Sequence, residues 1–452
     1  MELREADEVG ETEPEEKEPE EKEHEGGLKM KICFIIFGIG SLLAWNAILS
    51  DIGFFINFQG KYDPSTSFAF FNFALNIVFQ FIMICRKQLL SYKTQLIFGL
   101  IASIFSIVVL PLVVTSFEKD SLNGFIFTAI IILFQGLVNA FCCSGFFGLT
   151  SFFPMEMIIS LSSGQGISGI LMNVIGFIVI ASVNTDDIDN DAKYGAIIFF
   201  SISGFILFLC LIILLLAFQT DYFKFYLSKT GEFNKIENKV ENNMGGEGIG
   251  TRSTEGDEKK EALVEDDKND NSEISFIELF KLLYDVDLLS CYIYVVTFAL
   301  FPSCSISQRL FKTGKYRQTT IVTIYNVFDT IGRSIVSKIN PTKTLSYIII
   351  CGRSILLFTL IFNFYCDMRL EWEHNLTSIF LIINVSILAL TNGMGTSLCF
   401  GLAPSLVKDK LKGRAGGSIS FFNIFGIFLG TCVAFLTKFI MKKIGTYEGK
   451  EE

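Results

Sequence analysis

Histidine is all but missing from this sequence: His24 and His374 are the only two in 452 residues. Imidazole-driven catalysis and His-ligated metal centres therefore have almost nothing to work with. Tryptophan also occurs only twice, and charged residues make up 19% of the chain, less than a soluble domain of this length carries. No Walker-type phosphate-binding loop is present, which argues against pumping driven by ATP. The charge that exists is unevenly placed. The formal net charge is −10, and residues 1–27 alone hold thirteen Asp or Glu against three Lys or Arg, so the remainder is neutral. A Glu- and Pro-rich stretch of this kind cannot bury enough apolar area to offset chain entropy, which predicts a disordered acidic tail over 1–30. It is no signal peptide, whose charged start is short and basic.

What the chain does have is apolar length. Half of it is hydrophobic, Phe fills 48 positions and the mean hydropathy is +0.48, which places it among membrane proteins. A helix needs roughly 20 apolar residues to cross about 30 Å of hydrocarbon. Such runs occur at 32–55, 67–85, 95–116, 122–149, 157–183 and 194–218, then at 286–305, 319–336, 342–364, 376–403 and 415–440. The expectation is an all-α, polytopic membrane protein of about eleven transmembrane helices, six in 31–218 and five in 286–444. Between them, 219–285 is rich in Lys, Glu, Asn and Gly without a sustained apolar period. It reads as a mostly disordered linker, with a short amphipathic helix over 274–284. Residues 445–452 form a short tail. Ten of the eleven cysteines, from Cys33 to Cys432, sit in apolar runs without ligand-like spacing and read as small buried hydrophobes.

Lys and Arg near span ends set orientation. A cytosolic N-terminus also puts in the cytosol Arg86, Lys87, Lys93, the linker, Lys338, Lys343 and the cluster Lys408, Lys410, Lys412 and Arg414. The opposite side receives the acidic loop 186–191, the sequon at Asn375 and the C-terminus. One basic loop dissents: Arg309, Lys312, Lys315 and Arg317 fall outside.

An ionisable group at mid-span costs about 2.5–3.5 kcal/mol on insertion scales and is rare without a role. The eighth run holds two, Asp329 and Arg333. Four residues apart, they share a helix face and can pair, the acid on the favourable N-terminal side. An ion pair that merely eases insertion is the competing explanation. Arg353 is a second mid-run charge, structural or bordering a gate. Asn72, Asn76 and Gln80 recur at four-residue intervals in the second run, and Gln135 with Asn139 in the fourth. Polar stripes on apolar helices face other helices or water rather than lipid. Amides and hydroxyls suit a neutral hydrogen-bonding solute. Trp45 lies mid-run, away from the interfaces where tryptophan usually sits, and suits an aromatic wall for a planar ligand. The string Gly164-Gln165-Gly166-Ile167-Ser168-Gly169 spells a dinucleotide fingerprint, but no strand precedes it. Its glycines read as permitting close helix approach.

At these residues the chain resembles the equilibrative nucleoside transporter family. The resemblance runs in order through Leu43-Ala44-Trp45-Asn46, Phe134-Gln135-Gly136, Ser163-Gly164-Gln165-Gly166, Phe301-Pro302, the segment from Asn326 to Arg333, Thr391-Asn392-Gly393 and Ala403-Pro404. It departs at Ala44, where many relatives have proline. The resemblance implies a major-facilitator-like bundle of two halves (6+5) rocking about a central site. It further implies facilitative transport of nucleosides, extending to nucleobases, by alternating access, with no cofactor, no enzymatic activity and no nucleic-acid partner. By the same resemblance Trp45, Gln135, Asp329 and Arg333 contact the nucleoside: the Gln amide toward the base, Asp and Arg toward the ribose hydroxyls, the Trp as an apolar wall, with Leu42 a further contact. The plasma membrane is the expected location. Two other readings stay open on the residues alone: a carrier for another small neutral polar solute, and a membrane receptor or scaffold that transports nothing.

Overall fold

The computed structural model describes residues 27–85, 90–183, 187–228, 275–308, 310–311, 316–336, 338–339, 342–368 and 373–443. The expected acidic tail, Arg86 and Lys87, the middle of the linker at 229–274, most of the basic loop around Lys312 and the C-terminal tail lie outside the described residues. Every regular element among the described residues is helical. The first half comprises α1 (Leu28–Ser50), α2 (Ile52–Gln59), α3 (Pro64–Cys85), α4 (Tyr92–Thr115), α5 (Leu122–Thr150), α6 (Met155–Ser182), α7 (Ile188–Ala217) and the short α8 (Asp221–Ser228). The second comprises α9 (Phe276–Leu300), α10 (Ser303–Ile306), α11 (Arg317–Val336), α12 (Lys343–Gly352), α13 (Ile355–Met368), α14 (His374–Ser405) and α15 (Lys412–Lys443).

Among the described residues, ten spans are long and apolar enough to cross a membrane, counting α9 with α10 and α12 with α13 as single units. The eleventh is α11. It falls short of the others' apolarity because it carries Arg317, Asp329 and Arg333, yet it packs between α6 and α14. The eleven expected helices are therefore present. The amphipathic helix expected at 274–284 is not a separate element. Ser275 and Glu278 cap the start of α9 reciprocally, and no Gly or Pro interrupts the chain from there to Leu300, so one helix runs through. The linker is also helical at its start, where Phe223 of α8 stacks on Phe34 of α1.

Within each half, short connections make successive spans alternate in direction. We call the face on which α1 begins the lower face and the one on which it ends the upper face. Lipid-facing positions are apolar, among them Phe105, Phe205, Phe358 and Phe439, whereas Asn72, Asn76, Gln80, Asn173 and Asn392 are buried. This inversion is what a hydrocarbon surround demands.

Glycines set how closely the helices approach. A Cβ on Gly38 would stand 2.0 Å from the Leu161 carbonyl oxygen, and one on Gly164 2.1 Å from that of Ile35. Thus α1 and α6 touch backbone to backbone. The second half repeats the device: a Cβ on Gly393 would stand 2.0 Å from the Asp329 carbonyl oxygen, and one on Gly332 2.2 Å from that of Leu390, joining α11 to α14. Small residues at such crossings gain van der Waals contact where lipid supplies no hydrophobic drive. Overpacking typically costs about 1–3 kcal/mol, and here the obstacle is backbone. Gly164→Val is expected to lower the thermal unfolding midpoint of the purified protein in detergent by at least several degrees. An unchanged midpoint would mean that α1 and α6 part without penalty.

Candidate functional site

The Asp329 carboxylate and the Arg333 guanidinium lie on one face of α11, with Arg333 Nε donating to Asp329 Oδ2 at 2.7 Å, both residues buried. Each partner then reaches another helix. Arg333 Nη1 donates across the interface between the halves to the Ser162 carbonyl at 3.2 Å, to Ser162 Oγ at 3.0 Å and to Gln165 Oε1 at 3.3 Å, all on α6. Asp329 Oδ1 accepts from Asn392 Nδ2 of α14 at 2.7 Å. Gln165 in turn donates to Ser41 Oγ of α1 at 3.2 Å.

Of these residues, Gln165, Asp329, Arg333 and Asn392 line a central cavity of about 90 Å³ between the halves. Its apolar side is made by Leu42 and Trp45 of α1 with Phe73 and Phe298. The Trp45 and Phe73 rings meet edge to face at 5.0 Å, and Phe73 meets Phe298 at 5.6 Å. Two lining amides, Asn139 on α5 and Asn326 on α11, have a buried Nδ2 with no hydrogen-bond partner. A buried unpaired donor is rare enough to call for an explanation, and these two belong to residues that line the cavity from each half.

Of the residues singled out in the sequence, Leu42, Trp45, Asp329 and Arg333 converge on this cavity. Gln135 does not. Its amide turns to α4, accepting from Ser106 Oγ and donating to Ser103 Oγ at 3.5 Å. Hydroxyls within its own half thus satisfy it. The stripe of Asn72, Asn76 and Gln80 is also fully buried away from the cavity, with Gln80 donating to Asn76 at 2.8 Å. Gln165 and Asn392, which are in the cavity, stand in the sequence within the motifs of the resemblance but are assigned no contact with the solute there. A larger cavity of about 420 Å³ lies toward the upper face, bordered by Asp51, Asn57, Asp191 and Gln318. It lacks the ion pair that bridges the halves, so size alone does not select it. Among the described residues no three His, Cys, Asp or Glu side chains converge as metal ligands.

Contacts between the halves lie on both sides of the central cavity. On the lower side Phe147 of α5 stacks on Phe400 of α14 with centroids 3.7 Å apart, and Ser162 Oγ meets Ser397 Oγ at 2.9 Å. On the upper side the contact is ionic. Lys438 of α15 donates to both oxygens of Asp63, at 3.0 and 3.3 Å, and to Thr66 Oγ1 at 2.9 Å, while Thr66 meets Ser303 Oγ at 3.0 Å. Asp63, just before α3, has φ 46°, a left-handed conformation that Asp tolerates better than most residues.

The family described as "Nucleoside transporter" matches residues 128–439. Similar proteins include equilibrative nucleotide transporter 7 of Arabidopsis thaliana, 26% identical over 90% of this chain and 94% of that protein. Equilibrative nucleoside transporter 1 of Rattus norvegicus is 24% identical over 90% of this chain and 96% of its own length, and its Homo sapiens counterpart 22% over 91% and 97%. Among solved structures, the Escherichia coli xylose transporter XylE in a partially occluded inward-open conformation superposes with a TM-score of 0.55 at 13% identity, covering 92% of this chain and 98% of that one. The Escherichia coli fucose:proton symporter FucP gives 0.55 at 12%, covering 92% and 93%. These two likenesses show the major-facilitator fold.

The upper latch has a definite pH behaviour. Burial pushes the Asp63 carboxyl up, but the Lys438 ammonium and the Ser65 and Thr66 hydroxyls outweigh it and hold the carboxyl below its usual range. A carboxylate so lowered keeps its contribution above the ordinary carboxyl pKa and loses it only as pH falls through the lowered value. With a cysteine introduced at Thr66, labelling by a membrane-impermeant thiol reagent from the upper side is expected to change little between pH 8 and 5.5, beyond the reagent's own dependence on thiolate. Adding Lys438→Gln is expected to raise it about tenfold, and equal labelling would show that Lys438 does not hold the upper ends together.

Proposed function

This chain belongs to the nucleoside transporter family, and from that premise we propose that its central cavity is where a nucleoside is held in transit. The protein is a facilitative nucleoside carrier, and its two-half fold fits alternating access. The observation that carries the site is the convergence on one cavity, from both halves, of a neutralised ion pair and of two asparagines whose amide donors are unpartnered. At about 90 Å³ that cavity is smaller than the roughly 300–1,000 Å³ of ligand clefts, so its walls separate to admit or release the solute. Contacts between the halves on both sides of the cavity support a stage near occlusion, through which such a cycle passes.

Within this reading Asp329 and Arg333 engage the ribose hydroxyls by charge-assisted hydrogen bonds, roughly twice as strong as neutral ones. Trp45 and Leu42 form the wall on which the base lies. Asn139 and Asn326 offer N–H groups to acceptors on base or sugar, a role in which Asn139 replaces Gln135. Plant relatives are named as nucleotide transporters and mammalian ones as nucleoside transporters. A phosphate would call for cations free to meet it, whereas the lining here holds a single cation, Arg333, already paired with Asp329. The balance supports the uncharged nucleoside, with nucleobases accepted where they fill the apolar wall alone. The distribution of Lys and Arg supports a cytosolic lower face, and with it a cytosolic N-terminus and linker and an external C-terminus in the plasma membrane.

In vesicles reconstituted with the purified protein, adenosine and uridine uptake is expected to be saturable and indifferent to an imposed pH gradient, with hypoxanthine the weaker solute. Asp329→Asn and Arg333→Ala are each expected to reduce nucleoside uptake at least a hundredfold with the protein still folded and inserted. Full uptake in either variant would remove the pair from the site.

A further inference from the structure

Arg353 has no place in the site just described, yet it is 2% exposed and lies at the break between α12 and α13. No salt bridge of its own neutralises it among the described residues, and its Nε and Nη1 have no hydrogen-bond partner. What it does have is a donor, Nη2, directed at Thr297 Oγ1 of α9 at 2.7 Å, with a second contact from Nη2 to the Leu388 carbonyl at 3.2 Å. Thr297 Oγ1 lies 2.8 Å from Asn392 Oδ1, and Asn392 Nδ2 lies 2.7 Å from Asp329 Oδ1. A line of hydrogen bonds therefore runs from Arg353 to the carboxylate that faces the cavity.

The line can be wired in only one direction. A guanidinium only donates and a carboxylate only accepts, whereas a hydroxyl and an amide can each do both. With Arg353 filling a lone pair of Thr297, the single hydroxyl proton is left for Asn392 Oδ1 or for the Ile293 carbonyl 2.9 Å away. That carbonyl already belongs to the α9 backbone ladder, whereas Asn392 Oδ1 otherwise goes unanswered. Asn392 must then turn its NH₂ to Asp329. We propose that Arg353 is a positioning residue for the solute site. As the donor-only end of the chain it orients Thr297 and Asn392, and through them holds the Asp329 carboxylate so that its remaining lone pairs meet the sugar hydroxyls of the solute. The inference rests on the assignment of Asp329 to the ribose.

The test compares uridine with 2′,3′-dideoxyuridine, which keeps the base and lacks the hydroxyls, in vesicles containing Arg353→Gln, Arg353→Lys, Thr297→Val or Asp329→Asn. Insertion and thermal stability are measured for each. Arg353→Gln and Thr297→Val are expected to raise the half-saturating uridine concentration about tenfold, the scale of one hydrogen bond to a charged group, and to change dideoxyuridine less than twofold. Lysine, also donor-only, is expected to restore most of the difference. Equal losses for both solutes, or no loss, in Thr297→Val would overturn the positioning role and leave Arg353 structural. Thr297→Val removes one hydroxyl at constant shape, so it decides the matter even if an Arg353 variant fails to insert. Should Asp329→Asn preserve full discrimination between the two solutes, the assignment of the site itself falls, and that outcome is separable from the behaviour of the other variants.

Discussion

A carboxylate enclosed among membrane helices has left bulk water and needs partners in its place, and much of this protein is arranged around answering one. Asp329 takes Arg333 on one oxygen and Asn392 on the other. Those partners are polar themselves and bring further needs: Arg333 reaches Ser162 and Gln165 on α6, and Asn392 reaches Thr297 on α9, where Arg353 arrives. Each added bond enlists another helix, so the satisfaction of one charge organises α6, α9, α14 and the junction of α12 with α13 about α11. Removing a partner from such a network leaves a buried charge unanswered, which costs more than the lost bond alone.

That network needs α11 and α14 to lie very close, and glycine supplies the room. Gly393 sits against the Asp329 carbonyl itself, so the crossing point of the two helices and the buried carboxylate occupy the same turn. The matching crossing of α1 with α6 sets Gly164 next to Gln165, which is where Arg333 lands. Close approach and polar contact are thus built at adjacent residues in both halves. The glycine string that spells a nucleotide-binding loop is, in the fold, half of a helix crossing.

The sequence made the fold and part of the site readable because hydrocarbon imposes a simple rule. Runs of apolar residues long enough to span are conspicuous, and so is any charge within them, which is why Asp329, Arg333 and the mid-run Trp45 stood out. Amides are harder. Gln135 and Asn139 lie one turn apart on α5, and only Asn139 lines the cavity. The difference is made by Ser103 and Ser106 on α4, which take the Gln135 amide, and no periodicity in one helix reveals what a second helix offers. The same limit hid Lys438: a lysine near the end of an apolar run reads as an interfacial anchor until Asp63, almost four hundred residues earlier, is found against it. Helix breaks were also invisible where they mattered. The interruption at Arg353 falls inside the apolar run 342–364, and the bonds that lead from it run through other helices.

The pairing of Asp329 with Arg333 also bears on why transport is facilitative. A carrier that moves a solute only down its gradient must return empty as readily as it crosses loaded. An unpaired charge lining the cavity would make the empty occluded state expensive, by several kcal/mol for an ion removed from water, and the return step would then need a compensating ion. Here the lining charges neutralise each other, so no net charge is desolvated when the empty cavity closes. Arg353 does not upset the balance, because it is buried within the second half and away from the cavity, and a unit that moves as a body carries that burial unchanged through the cycle. The two closures divide the remaining work differently. Parting Lys438 from Asp63 returns two charged groups to water, which solvates them, whereas parting Phe147 from Phe400 exposes apolar rings that water does not reward. A neutral lining with unlike closures lets the solute gradient alone set the direction of flux.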